Sequence, residues 1–115
     1  MHEMSIAIAA LEIMEQAALK HSARRILAVW IEVDASACVE PEAIAACFEV
    51  VCAGGIAQGC ALHLEQSPIR ARCLDCGHEF DLGPGLELPC PLCAGRGLRL
   101  EGGRGMVVNR MEIEE

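Results

Sequence analysis

Cys73, Cys76, Cys90 and Cys93 form two CxxC pairs separated by thirteen residues. Two intervening residues let both sulfurs of a pair reach one ion, and Gly77 or Gly95 suits the tight turn that aims backbone N–H groups at the thiolates. Leu82-Gly83-Pro84-Gly85 supplies the chain reversal that brings the pairs together. Four soft thiolates favour tetrahedral Zn2+ at about 2.3 Å and leave no open position for substrate or water, so the expected role is structural. Such a site can contribute about 10–16 kcal/mol of apparent binding energy to folding. The competing redox reading needs a CxxC at a strand-to-helix turn of a thioredoxin fold, a context neither pair has. His78 could replace one cysteine as a ligand, but four cysteines already complete the set.

A second constellation stands at the start of the sequence, Met1-His2-Glu3. A free amine, the His2 amide nitrogen and the His2 imidazole can close fused five- and six-membered chelate rings, and nitrogen donors in tetragonal geometry suit Ni(II) or Cu(II). Taken alone the signal is weak, because a histidine near a terminus is usually a solvated surface residue.

Composition narrows what surrounds these groups. The 115 residues allow one modest core plus a small metal-stapled lobe. Phe48, Phe80 and Trp30 are the only aromatic residues, so the core is thin and metal would help it. A formal net charge of −8, from 9 basic and 17 acidic residues, repels phosphate backbones and argues against nucleic acid. The eight cysteines follow no basic-then-apolar leader, and the apolar run from Met4 to Leu11 is far shorter than the ~20 residues of a membrane span. A soluble, cytoplasmic protein with no membrane partner is therefore expected, where paired cysteines signal metal more often than disulfides.

The elements that position the two constellations follow from periodicity. Met4 to Lys20 reads as a helix whose polar stripe is Glu12, Glu15, Gln16 and Lys20. Arg24 to Val33 alternates as a strand, with Leu27, Val29, Ile31 and Val33 sharing one face. Pro41 starts a second helix, with Ile44, Cys47, Phe48, Val51 and Cys52 on its apolar face and Gly54-Gly55 at its end. Cys60 to Glu65 forms a second strand, closed by Pro68. Residues 69–105 change character, with clustered glycine and proline and five arginines against five acidic residues. The tail from Met106 to Glu114 reads as a third strand with Val107, Asn109, Met111 and Ile113 on one face. Cys47 and Cys52, on the apolar helix face, act as small buried hydrophobes, and Cys60 begins the second strand; Cys38, in a loop, is open to opportunistic metal binding.

MHEMSIA at the start, CLDCG and CPLC between residues 73 and 93, and the closing GMVVNRMEIEE together resemble the hydrogenase nickel incorporation proteins, the HypA/HybF family. The resemblance spans nearly the whole chain, and MHE joined to paired CxxC is its specific part. It implies an α+β fold: a nickel-binding lobe of two helices on a three-stranded antiparallel sheet, residues 1–68 plus 106–115, with an inserted zinc-ribbon-like lobe, residues 69–105. It implies a non-enzymatic nickel metallochaperone for [NiFe]-hydrogenase maturation, working with a nickel-binding GTPase and the hydrogenase large subunit. His2 carries over as the essential nickel ligand, Met1 through its amine and Glu3 through its backbone amide. Cys73, Cys76, Cys90 and Cys93 carry over as zinc ligands. One departure is Asp34 to Cys38, where relatives usually have a glycine-containing turn.

Two other readings compete. A zinc-ribbon module for protein interaction needs no role for His2; its RNA-binding form is disfavoured by the charge-balanced lobe and the scarcity of stacking aromatics. An enzyme is the weaker alternative, since His2, His21, His63 and His78 are scattered and no nucleophile or carboxylate pair forms a catalytic motif.

Overall fold

A computed structural model describes residues 3–83 and 90–115. Met1, His2 and residues 84–89 lie outside the described residues, so two of the three nickel candidates and the Pro84-Gly85 reversal do too.

Helix α1, Glu3–Lys20, buries Ile6, Ala7, Ala10, Met14 and Ala18, a stripe at steps of three and four with alanines that admit close packing. Strand β1, Arg25–Asp34, leads through a 3-10 turn, Ala35–Ala37, into helix α2, Pro41–Cys52, whose core contacts are Ile44, Phe48 and Cys52. Strand β2, Ala61–Ser67, then pairs parallel to β1, with Trp30 opposite His63 and Ile31 opposite Leu64. This corrects the all-antiparallel expectation for the sheet. An intervening helix carries the chain back to the starting end, and a strand returning after such a crossover runs parallel. The last strand, β6, Met106–Glu114, closes the other side of β1 antiparallel, giving the order β2-β1-β6.

Register shifts change two face assignments read from strict alternation. One falls between Ile26 and Ala28 of β1, the other opposite the Trp30/Ile31 step, where Asn109 is the extra residue. As a result Ile26, Val29, Ile31 and Val33 fill the core while Leu27 is exposed. On β6 the residues against the core are Met106, Val108, Met111 and Ile113, not Val107 and Asn109. The opposite face of the sheet is open. There Trp30 stacks on His63 with centroids 4.4 Å apart, and the Arg110 guanidinium lies 4.4 Å from the Trp30 ring centroid.

Residues 69–105 hold a second sheet that periodicity did not reveal: β3, Ile69–Cys73, between β4, Glu79–Leu82, and β5, Leu98–Glu101, all antiparallel. Ala35, Ile69, Ala71 and Leu82 form its small core, with Phe80 and Leu98 packed beside them. So few apolar groups supply little burial energy, which leaves room for a metal to complete the lobe. No helix among the described residues is long and apolar enough to cross a membrane.

Candidate metal centre and the clasp beside it

The two CxxC knuckles are built on one plan. Cys73 N–H donates to the His78 carbonyl (2.9 Å) and Gly77 N–H to the Cys73 carbonyl (2.9 Å); Cys90 N–H donates to Gly95 (2.8 Å) and Ala94 N–H to Cys90 (2.9 Å). Each reversal needs a left-handed residue four positions after its first cysteine. Gly77 fills it with φ 77°, whereas the second knuckle places Ala94 there at φ 62°. Gly95, read from sequence as a turn glycine, serves a different purpose. A Cβ on it would meet the end of the exposed Asp75 side chain, which would have to swing away, and would lie 3.2 Å from Cys93 Sγ, so a bare backbone here leaves room for the sulfur. A further bond, Leu74 N–H to the Gly97 carbonyl (2.9 Å), ties the knuckles together.

All four sulfurs fall within 4.8 Å of one another, with Cys73 Sγ 3.5 Å from Cys93 Sγ and Cys76 Sγ 3.8 Å from Cys90 Sγ. A tetrahedron with metal–sulfur bonds of about 2.3 Å has edges of about 3.8 Å, so the donor set fits an ion such as Zn2+. Cys73 and Cys90 are buried, while Cys76 and Cys93 face outward. Backbone donors surround the sulfurs: Leu92 N–H reaches Cys90 and Gly95 N–H reaches Cys93, both at 3.4 Å. The Cys76 N–H, working against burial and joined by the Asp75 N–H and neighbouring thiols, brings the Cys73 thiol down to about 7. At Cys93 the Gly95 N–H lowers the pKa, but crowding by Cys73 and Cys76, burial and Cys90 push it up to about 12. Clustered thiols resist ionising together, and a dication at their centre removes that resistance. His78 stacks on Phe80 at 5.6 Å, outside the sulfur cluster.

Near the other constellation, the Glu3 carboxylate accepts the Glu40 N–H at 3.0 Å. The first helical residue of α1 is thereby held against the residue preceding α2. The loop before it reaches its turn without glycine: Cys38 itself adopts φ 51°, ψ 51° and caps the 3-10 turn through its N–H to the Ala35 carbonyl.

Sequence reasoning missed Asp34. Its Oδ1 accepts the Ser36 N–H (2.8 Å) and hydroxyl, and its Oδ2 accepts the N–H groups of Arg104 (2.8 Å) and Gly105 (3.0 Å), seventy residues along the chain. Burial raises its pKa, yet the Ser36 hydroxyl and the Arg104, Ser36 and Gly105 N–H groups outweigh that and hold it below the usual value. Asp34 thus fastens the exit of β1 to the point where the chain leaves the second sheet. Gly103 completes the junction, since a Cβ there would lie 2.5 Å from Ile69 Cδ1 and 2.7 Å from Ser36 Oγ. The Asp-x-Ser pattern signals a local Asx turn, but nothing in sequence announces the distant pair of donors.

Comparison with known proteins matches residues 1–113 to the family model described as hydrogenase/urease nickel incorporation, metallochaperone, hypA. The hydrogenase maturation factor HybF of Escherichia coli K12 is 40% identical over 114 residues, covering 99% of this chain and 100% of that protein. The hydrogenase maturation factor HypA of the same strain is 38% identical over 115 residues, covering 100% of this chain and 99% of that one. The solution structure of the Ni metallochaperone HypA from Helicobacter pylori shares the fold at a TM-score of 0.69 and 20% identity, over 99% of this chain and 98% of that one. With two α-helices, two small sheets and a four-cysteine cluster among its described residues, the chain belongs to the HypA/HybF family of hydrogenase maturation factors and nickel-incorporation metallochaperones.

Proposed function

We propose that this protein carries Ni(II) for the maturation of [NiFe]-hydrogenase, with Met1, His2 and Glu3 supplying the nickel ligands. The family match carries this reading, since it spans residues 1–113 and so includes Met1, His2 and Glu3. The bond between Glu3 and Glu40 supports it by holding the first described residue of α1, itself one of the three ligand candidates, against the start of α2. In this reading Cys73, Cys76, Cys90 and Cys93 hold a structural Zn2+, with no catalytic role. Residues 1–68 with 106–115 form the nickel domain and residues 69–105 the zinc domain. The partners are the nickel-binding GTPase of hydrogenase maturation and the hydrogenase large subunit, in the cytoplasm, without nucleic acid or membrane.

The chemistry of loading follows from the donors. The amine, imidazole and amide nitrogens must each be proton-free to bind, so nickel uptake releases protons. Affinity falls as pH drops through the ordinary range of imidazole and α-amino titration, roughly 6.5–8. A calorimetric nickel titration of protein with its native terminus tests the reading against a pure zinc-ribbon interaction module. His2→Ala, or any residues added before Met1, is expected to abolish stoichiometric Ni(II) binding while zinc stays in place. Undiminished nickel affinity in both variants would rule out the N-terminal site.

A further inference from the structure

We propose that Arg24 and Arg25, together with the glycine-containing loop 54–59 between α2 and β2, form a binding site for a small phosphate compound. The site holds the ligand by its phosphate oxygens.

The chain concentrates positive charge at this end of the first sheet. Its formal net charge is −8, yet Lys20, Arg24 and Arg25 fall within six residues of one another. Arg110 is the only other lysine or arginine in residues 1–68 and 106–115, and it lies against the Trp30 ring. Lys20 stands in the last turn of α1, where a cation offsets the helix dipole. Arg24 and Arg25 come after that turn and have no such role. Among the described residues neither forms an ion pair, although Glu114 stands opposite Arg25 in the sheet.

The surroundings of the two arginines are concave and built. They line an open cavity of about 600 Å3 with Gly54, Gly55, Gln58 and Gly59, and among the described residues no acidic side chain lines it. The Arg25 guanidinium donates to the Gln58 carbonyl (3.4 Å), and Gln58 Oε1 accepts the Gly54 N–H (2.7 Å), so arginine and loop steady each other. Donors are left over. Among the described residues the Arg24 guanidinium and the N–H groups of Ile56 and Gly59, which also line the cavity, donate to no protein acceptor. Gly54 and Gly59 adopt φ of 79° and 75°, and the place of each missing Cβ is clear of other atoms to 4 Å, so a ligand can approach the bare loop.

Charge and donor count select phosphate. α2 ends at Cys52, and its C-terminus brings about half a negative charge to the start of the loop, which two guanidinium charges exceed. Two adjacent guanidinium forks with amide donors beside them match the several oxygens and double charge of a phosphate, whereas a carboxylate engages one fork. The cavity is of the size that holds small molecules, so there is room for the group that carries the phosphate. A long polyanion would meet the repulsion of the whole acidic chain; a small one, screened over about 8 Å at physiological salt, feels the local basic pole.

Amide NMR spectra of the zinc-loaded, nickel-free full chain, titrated separately with inorganic phosphate, pyrophosphate, ADP and acetate at fixed pH and low ionic strength, test this. The phosphate compounds are expected to shift the Arg24, Arg25, Ile56 and Gly59 amides saturably, with pyrophosphate and ADP tighter than phosphate and acetate weakest. Equal affinity for pyrophosphate and ADP means that the phosphates alone are held; tighter ADP adds a contact to the nucleoside. Arg24→Gln should weaken pyrophosphate by about ten-fold, the loss of one charged hydrogen-bonding partner. Its guanidinium makes no hydrogen bond or ion pair among the described residues, so the fold should tolerate the change, and circular dichroism checks it. Arg99→Gln, in the second sheet, should leave affinity unchanged. The proposal is overturned by the absence of saturable shifts, by shifts confined to Arg96, Arg99 and Arg104, by acetate binding as tightly as pyrophosphate, or by Arg24→Gln binding like wild type.

Discussion

Replacing Asp34 by alanine should loosen the junction between the two sheets more than its half-exposed position suggests. The carboxylate holds three backbone N–H groups and one hydroxyl, at 2.8 to 3.0 Å for the backbone donors. A hydrogen bond to a charged group contributes about 1.5–3 kcal/mol net, and loss of a capping side chain costs about 0.5–2 kcal/mol. The contributions do not add, because the Arg104 N–H is exposed enough to recover water. We expect about 2–3 kcal/mol, a fall in melting temperature of roughly 8–12 °C for a chain of this size. Urea unfolding of the metal-loaded protein followed by Trp30 fluorescence gives the free energy. Hydrogen exchange at the Ser36, Arg104 and Gly105 amides locates it. Asp34→Asn, which keeps an acceptor but loses the charge, should fall between wild type and alanine. The carboxylate's native pKa lies below its ordinary 3.8, so its stabilisation is present above about pH 4 and fades as pH falls through the depressed value. The alanine variant should lack that acid limb. A loss under about 0.5 kcal/mol, below the smallest capping effect, or unchanged exchange at Arg104 and Gly105, would refute the reasoning.

Two further outcomes follow from the knuckles and the helix thiols. Ala94→Gly relieves a left-handed alanine and should stabilise the metal-loaded lobe by up to about 1 kcal/mol, whereas Gly95→Ala should weaken metal retention by crowding Cys93 Sγ; a chelator competition assay ranks them, and the reverse order would contradict the assignment. Burial, with Cys60 and Glu15 nearby, pushes the Cys52 thiol up to about 11, and burial raises Cys60 as well, so both should resist iodoacetamide at neutral pH while exposed Cys38 reacts. Peptide mapping that finds Cys52 labelled as fast as Cys38 would show that the α2–β2 packing opens readily.

How far the molecule could be read from its sequence depended on whether the information was local. Helix α1, Pro41 at the start of α2 and the span of β6 follow from periodicity and terminal signals, and the CxxC spacing by itself identifies the sulfur cluster. Strand direction is not local: β2 could have joined either way until the α2 crossover was taken into account. The bulges near Leu27 and Asn109 defeat simple alternation because one inserted residue flips every later face. The short strands β3 to β5 carry too few apolar residues for a period to show. Gly95 illustrates the same limit, since its crowding involves Asp75, twenty residues away, as well as the neighbouring Cys93 Sγ.

The order of synthesis gives the β1–β6 pairing a temporal meaning. β6 follows every other described strand in chain order, so until residues 106–114 are made β1 has one side unpaired and the helices lack part of the floor they rest on. All four cysteines have been translated before β6 begins. Metal capture can therefore come before the first sheet closes, drawing residues 73 to 93 into a compact lobe and shortening the free loop that β6 must span. An ion held by the four cysteines would thus favour closure of the first sheet, by bringing the start of β6 nearer the side of β1 it must reach.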